Sequence, residues 1–409
     1  MSVSLTIDRN RCFVLKIWSM ILIIFLIFTI YTTQVSAEET VIPPSIISEA
    51  AIIFEADSGQ ILYEKNANVE MYPASITKIA TALYAIKHGQ LDDIVTVSTN
   101  ARYTDGTRVY LEEGEQVSLK KLLQGLLINS GNDAGVAIAE HLSGTVEQFA
   151  DDLNQYLEDE VGVAQTHFEN PHGLFHPDHV TTAKDMAVIT QYAMKNETFR
   201  EIFSTKQMEW DGESWDTTLY NHHRMLRGEI PYEGITGGKN GFVSQSGFTL
   251  VTTAKSKDLN LIVVTLKASY EQEAYSDTVE LLDFAFTNFI TESIEKETYF
   301  SLDDSEFVTV KDLSYTHQLS DTVTPEIQKN GTLNITNQNG NVVTSFQLKD
   351  ITPANEKNRD SSFSVQKDIQ VNRSSSTLLW NTILIVIGIV IILSSMKYRQ
   401  NRRMKSRYK

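Results

Sequence analysis

The spacing of apolar and polar positions changes several times along this chain, and the changes mark out its parts. Glu49–Phe54 and Gln60–Glu64 are two apolar runs joined by Ala56-Asp57-Ser58-Gly59, which has the composition of a hairpin turn. From Ile76 to Ile86 apolar residues recur at three- and four-residue intervals. The same period returns at Leu119–Ile128, Ala134–Leu142, Val146–Leu157 and Ala183–Met194. Strand-like runs follow at Ile235–Lys239, Gly247–Ala254 and Leu259–Leu266, and a further helical stretch at Ala274–Ile290. Strands at both ends with helices between them predict one α+β domain over residues 38–290. Past Thr291 the helical period fades. Phe307–Val310, Thr332–Ile335 and Val342–Leu348 are β-prone, and Asn339-Gly340 suits a hairpin turn, so residues 291–351 are expected to form a small β-rich domain. Residues 352–377, rich in Ser, Asn and Lys, are expected to be a polar stalk.

The two ends follow other rules. Arg9, Arg11 and Lys16 precede or open an apolar run that reaches Tyr31, and Val35-Ser36-Ala37 offers small residues for cleavage. Residues 1–37 therefore read as an export signal. Leu378–Met396 is uncharged, mostly apolar and long enough, as a helix, to span a bilayer. Seven lysines and arginines follow in residues 397–409, which places that tail in the cytoplasm and the body of the protein outside. The expectation is a single-pass cell-membrane protein with an extracytoplasmic body. Cys12 is the only cysteine and lies within the export signal, so the processed chain holds no disulfide.

Charge narrows the function classes. Ten of the 35 basic residues and one of the 52 acidic residues lie outside 38–377, leaving 25 basic against 51 acidic, a formal charge of −26. A body this acidic argues against nucleic acid as a partner and against lying flat on anionic lipid.

Three short segments carry chemistry. In Tyr72-Pro73-Ala74-Ser75-Ile76-Thr77-Lys78, Ser75 and Lys78 are three residues apart and share a helix face. A desolvated lysine near another cation can stay neutral and take the serine proton, and a serine at a helix start also presents a free N–H to a developing oxyanion. The spacing alone says little, because it recurs at Ser118–Lys121, Ser293–Lys296 and Ser364–Lys367. The second segment is Asn129-Ser130-Gly131-Asn132-Asp133-Ala134, between two predicted helices. A hydroxyl there can relay a proton to a leaving amine, and the Asn132 amide can hold a substrate carbonyl and the lysine. The third is Gly237-Gly238-Lys239-Asn240-Gly241-Phe242, on a strand whose glycines let a ligand backbone approach. Lys239 would bring a positive charge near Ser130 and a substrate carboxylate. A similar Lys-x-Gly triplet at Lys329-Asn330-Gly331 has the composition of a turn.

Ser-x-x-Lys, Ser-x-Asn and Lys-x-Gly in that order within one exported domain are the signature of the acyl-serine enzymes. The sequence resembles the D-alanyl-D-alanine carboxypeptidases, the low-molecular-mass penicillin-binding proteins, almost continuously from Ser48 to Ile290. The resemblance includes YEKNANVEMYPASITK, GTRVYLEEGEQVSLKKLLQGLLINSGNDA, FENPHGLFHPDHVTTAKDMA and GGKNGFVSQSGFTLV. It implies a serine-acylating fold of the β-lactamase and transpeptidase type, followed by a β-rich domain and a membrane anchor. It implies Ser75 as nucleophile, Lys78 as its base, and Ser130, Asn132 and Lys239 completing the centre. The N–H groups of Ser75 and Phe242 would form the oxyanion hole. It further implies peptidoglycan stem peptides as substrates, β-lactams as covalent inhibitors, and neither metal nor cofactor. The sequence departs from the family at Asn240, where relatives carry threonine, and at Leu266-Lys267-Ala268-Ser269-Tyr270, where many carry an arginine for the terminal carboxylate. Those departures keep a D,D-endopeptidase acting on cross-links in view, beside a cell-wall-binding protein that has lost turnover. Glu169-Asn170 lacks the spacing of a β-lactamase deacylation pair. His172, His176 and His179 lie close in sequence, but no acidic or thiol partner is evident at ligand spacing. His222 and His223, ahead of the third segment, are expected to line the groove.

Overall fold

The computed structural model describes residues 18–21, 41–256 and 258–352. Among them no helix is long and apolar enough to cross a membrane. The stalk, the span expected at Leu378–Met396 and the basic tail lie outside the described residues, as does nearly all of the export signal.

The main sheet is antiparallel and has five strands. β1 (Ala50–Glu55) and β2 (Ile61–Lys65) form the expected hairpin, with Ile52 opposite Glu64 and Ile53 opposite Tyr63. Glu55 shapes the turn by accepting the Asp57 and Ser58 N–H groups and the Ser58 hydroxyl on one carboxylate oxygen. The chain then leaves the sheet for a helical layer. That layer includes α1 (Lys78–His88), α2 (Thr99–Arg102), α3 (Leu119–Ile128), α4 (Asn132–Ser143), α5 (Val146–Tyr156), α6 (Ala183–Met194) and α7 (Glu197–Phe203). Two small antiparallel strand pairs interrupt it, β3 (Ile94–Thr96) with β4 (Gln116–Ser118), which enclose α2, and the hairpin of β5 (Gln207–Asp211) with β6 (Asp216–Tyr220). After a single turn, α8 (Arg224–Arg227), the chain returns as β7 (Ile235–Val243), β8 (Gly247–Ser256) and β9 (Leu259–Ala268), giving the order β2-β1-β9-β8-β7. α9 (Glu271–Asn288) covers the opposite face.

β1 explains why the sheet holds. Its side chains alternate between faces, and both faces are covered, so all six residues are buried. Ile52 and Phe54 enter the core shared with the helical layer, while Ala51 and Ile53 enter the core shared with Tyr275, Leu281 and Leu282 of α9. A fully buried aliphatic side chain of this kind contributes about 1.5–3 kcal/mol. Helix starts are set by side-chain caps. Ser118, Thr145 and Thr182 accept the N–H groups of Lys121, Gln148 and Asp185. α3 and α6 span the residues that periodicity predicted.

Beyond Asn288 the described chain is all strand. β10 (Phe289–Ile294) pairs with β13 (Leu313–Gln318), β11 (Tyr299–Leu302) with β12 (Ser305–Val308), and β14 (Val323–Ile327) and β16 (Val342–Gln347) flank β15 (Thr332–Asn337). Phe307, Leu313, Leu333 and Leu348 form their own core. Gln60 ties this region to the main sheet, its amide exchanging two hydrogen bonds with the Thr316 backbone at 2.6 and 3.0 Å.

Candidate active site

Ser75 sits in a 3-10 turn, Ala74–Thr77, that runs directly into α1 at Lys78. The turn begins under strain, because Ala74 has a φ of +51°, a conformation that costs a non-glycine residue about 1–3 kcal/mol. Several contacts hold it there. Thr249 of β8 donates to the Pro73 carbonyl at 2.8 Å, and Thr77 donates to the Ala74 carbonyl at 2.8 Å. Gly173 presses on that same carbonyl so closely that a Cβ would overlap it. His179 completes the chain. Its Nδ1 accepts the Glu169 N–H, so Nε2 carries the proton and donates to Thr77 Oγ1 at 2.9 Å. Burial pushes the His179 pKa down to about 3, which keeps the ring neutral in this role.

Lys78 is fully buried. Its Nζ lies 3.0 Å from Ser75 Oγ and donates to the His172 carbonyl at 2.7 Å. Burial, followed by the charge of Lys239, holds its pKa well below the ordinary lysine value, with Asp133 opposing the shift. A lysine that gives up its proton this readily can accept one from serine.

Ser130 and Asn132 occupy the junction of α3 and α4, both nearly buried. Ser130 has a φ of +61°. The Asn132 amide donates to the Asp105 carbonyl, and its backbone N–H to Thr107, both at 2.7 Å. Asp133 fixes this arm from beneath. Its buried carboxylate accepts the N–H groups of Val109, Leu111 and Ala134, clamping the 105–111 loop onto the start of α4. A Cβ on Gly135 would be in ordinary contact with His172, so α4 packs on the loop whose carbonyl receives Lys78.

The third wall is β7. Lys239 is buried, donates to the Asn240 carbonyl at 2.8 Å, and has its pKa lowered by burial to about 7. Gly241 lies against the Ser75 backbone nitrogen, where a Cβ would come within 2.6 Å. Only a residue without a Cβ lets the strand approach Ser75 so closely. Phe242 is largely exposed and its ring packs on Phe248, with centroids 4.5 Å apart.

Sequence spacing anticipated the three arms but not their supports. Asp133, Thr249, Thr77 and the His172 carbonyl are ordinary residues until the fold aims them at the site. His223 is buried beneath β7, with Gly238 pressed on its ring and Nε2 2.8 Å from Thr252 Oγ1, so it supports the groove rather than lining it. The neighbouring His222 has its pKa lowered to about 4 by burial and then by the charge of Lys239. Lys267 is paired with Glu49 at 2.7 Å, both side chains half-exposed. His172 and His179 are buried in the supports just described, and His176 stands apart from them beside Glu169 and Asp178.

Comparison with known proteins decides the family. The profile of the S11 peptidases, described as D-alanyl-D-alanine carboxypeptidase, matches residues 37–270. The chain belongs to this family. D-alanyl-D-alanine carboxypeptidase DacF of Bacillus subtilis (strain 168) is 34% identical over 258 residues, 61% of this chain and 64% of that protein. DacA of Haemophilus influenzae is 33% identical over 282 residues, 63% of this chain and 67% of that protein. Among solved structures, penicillin binding protein 5 from Haemophilus influenzae superposes with a TM-score of 0.69 at 27% identity, covering 76% of this chain and 98% of that one. Penicillin binding protein 6B from Escherichia coli gives 0.65 at 25% identity, covering 77% and 98%. These matches establish the S11 α+β domain followed by a β-rich domain.

Proposed function

We propose that this S11 protein is a serine-type D-Ala-D-Ala carboxypeptidase that removes the terminal D-alanine from peptidoglycan stem peptides through an acyl-enzyme. The observation that carries the reading is Lys78, buried, inclined to be neutral and 3.0 Å from Ser75 Oγ. Lys78 Nζ takes the Ser75 proton as Oγ attacks the penultimate D-alanyl carbonyl. The N–H groups of Ser75 and Phe242 receive the oxyanion. Ser130 passes a proton to the departing D-alanine nitrogen, the C–N bond breaks, and an ester on Ser75 remains. Water then adds to that ester and Ser75 regains its proton. Asn132 holds the peptide, and Lys239 supplies the positive charge that meets its carboxylate. A β-lactam would acylate Ser75 by the same route and stay bound.

Asn240 and the lack of an arginine in Leu266–Tyr270 favour one second reading, a D,D-endopeptidase, because both weaken the case for capture of a free carboxylate. Product analysis on defined muropeptides separates the two. Release of D-alanine from pentapeptide monomers supports the carboxypeptidase, and conversion of cross-linked dimers to monomers without such release overturns it. In this reading residues 378–396 anchor the protein in the cell membrane with the catalytic domain outside. Protease added to intact protoplasts should therefore remove the body and spare an epitope at Lys409.

A further inference from the structure

Two His-x-carboxylate pairs meet at the base of the loop that carries His172. They are His167-Phe168-Glu169 and His176-Pro177-Asp178. Alternate residues of an extended segment point the same way, and in the first pair Phe168 turns into the core while His167 and Glu169 face outward. Paired hydrogen bonds at 2.9 Å between His167 and Val180 bring the two arms together. Glu169 Oε1 and Asp178 Oδ2 each lie 3.8 Å from His176 Nδ1, and one donor atom from each of the three residues falls within 4.8 Å of the other two. His167 Nε2 holds the same Glu169 oxygen at 3.0 Å. The Asp178 N–H makes a long 3.3 Å contact to His176 Nδ1, which a metal ion would replace.

The donor set has a chemistry. One imidazole and two carboxylates suit a zinc-class divalent ion, whereas calcium and magnesium prefer all-oxygen shells. Bonds of about 2.0–2.1 Å set neighbouring ligands roughly 3.4 Å apart in a tetrahedron, so the two His176 contacts at 3.8 Å would shorten by a few tenths of an ångström, and the two carboxylates, within 4.8 Å of each other, would turn toward the ion by up to about 1.4 Å. We propose that Glu169, His176 and Asp178 bind one zinc-class ion, with His167 orienting Glu169 and water completing the shell. The ion would act as a clasp and not as a catalyst. It closes the loop whose His172 carbonyl receives Lys78 and whose Gly173 presses on Ala74. The clasp stands on the geometry of this loop alone and does not depend on which bond the enzyme cleaves.

The test is titration of zinc chloride into the chelator-treated full-length chain, followed by calorimetry and thermal unfolding. One zinc per chain with micromolar affinity, and a rise in Tm of several degrees, is the expected result. His176→Gln should abolish the saturable uptake, and His167→Gln should weaken it about tenfold to a hundredfold, as loss of an orienting partner does. Both variants should still be acylated by penicillin without zinc, which verifies their fold. Three results would each overturn the clasp: no saturable uptake by the wild type, equal uptake by His176→Gln, or equal competition from magnesium or calcium.

Discussion

Ser75–Lys78 and Ser118–Lys121 have the same spacing, and both sit where a helix begins, yet only one pair has its lysine buried against its serine. Lys121 lies near the surface, its Nζ over the Trp210 ring at 4.9 Å and bonded to Asp211, a fully exposed carboxylate. Ser118 spends its hydroxyl capping α3. At the other pair the lysine loses water and the serine stays partly exposed. Lys78 is buried beside a second buried lysine, and its serine is held out on a strained turn. The difference is desolvation. A lysine in water keeps its proton at neutral pH, whereas one enclosed by α1, the His172 loop and β7 gives it up.

The sharpest way to break this comparison is to delete each serine. Ser75→Ala should abolish covalent labelling by a fluorescent penicillin, a loss of about 10⁴-fold or more. Ser118→Ala should label like the wild type. Persistent labelling of a folded Ser75→Ala protein would move the nucleophile elsewhere.

The lysines come next. Lys78→Arg places a guanidinium that does not deprotonate where a base is needed, and acylation should slow about 10²–10⁴-fold, the range for losing a general base. Lys121→Arg should leave the rate unchanged. In the wild type the rate should rise with pH as Lys78 loses its proton. It should fall again as Lys239 does, near pH 7 in the free protein. A profile without an acid limb would remove Lys78 from the role of base.

Glycine sharpens the same contrast at a distance. Gly241→Ala would push a Cβ onto the Ser75 nitrogen and should cost about a hundredfold in acylation, the scale of a 1 Å misplacement. Gly331 belongs to the look-alike triplet Lys329-Asn330-Gly331, which forms the turn before β15 and holds a φ of +79°. Gly331→Ala should destabilise the β-rich region by about 1–2 kcal/mol and leave acylation untouched. Equal kinetic effects from the two would show that β7 does not need its close approach.

The last contrast is in stability. The unfolded chain keeps the Lys239 proton up to the ordinary value of 10.5, while the folded chain releases it near 7. The unfolded state therefore binds more protons across that window, and folding stability rises with pH through it. Below about pH 7 the penalty is fully present. Lys239→Met should remove that slope and raise stability at neutral pH by a few kcal/mol, the scale of such a shift. Lys121→Met, on the surface, should stay within about 0.5 kcal/mol in denaturant unfolding.

Much of the catalytic layer was legible because its helices are amphipathic and its hairpin turns carry Gly and Asp. Several element edges moved: the helix expected to reach Ile290 ends at Asn288, where β10 takes over at Phe289, and two further shifts have a clear cause. α4 starts at Asn132 rather than Ala134, because Asp133 turns inward to accept backbone N–H groups instead of facing water. β7 continues past Lys239 to Val243, since pairing with β8 sustains the strand through Gly241. The short pairs β3 with β4 and β5 with β6 gave no sequence signal, being too short for a period to establish itself. In the β-rich region β10, β11, β13 and β14 went unread, because short strands interspersed with polar residues look like loop until a partner strand pairs with them.

Local order and period were enough to find the longer amphipathic helices, the first hairpin and the sequence of three motifs, because backbone propensity and capping act over a few residues. The short helices α2, α7 and α8 left no such trace. Which Ser-x-x-Lys pair is dry, which glycine faces a nucleophile and which histidine is buried depend on segments far apart in the chain. Ser75 is 166 residues from Gly241 in this numbering, and the His172 carbonyl reaches Lys78 across 94. Water is excluded from Lys78 only when those distant segments close together, and only then does a common spacing put a dry lysine 3.0 Å from a serine hydroxyl.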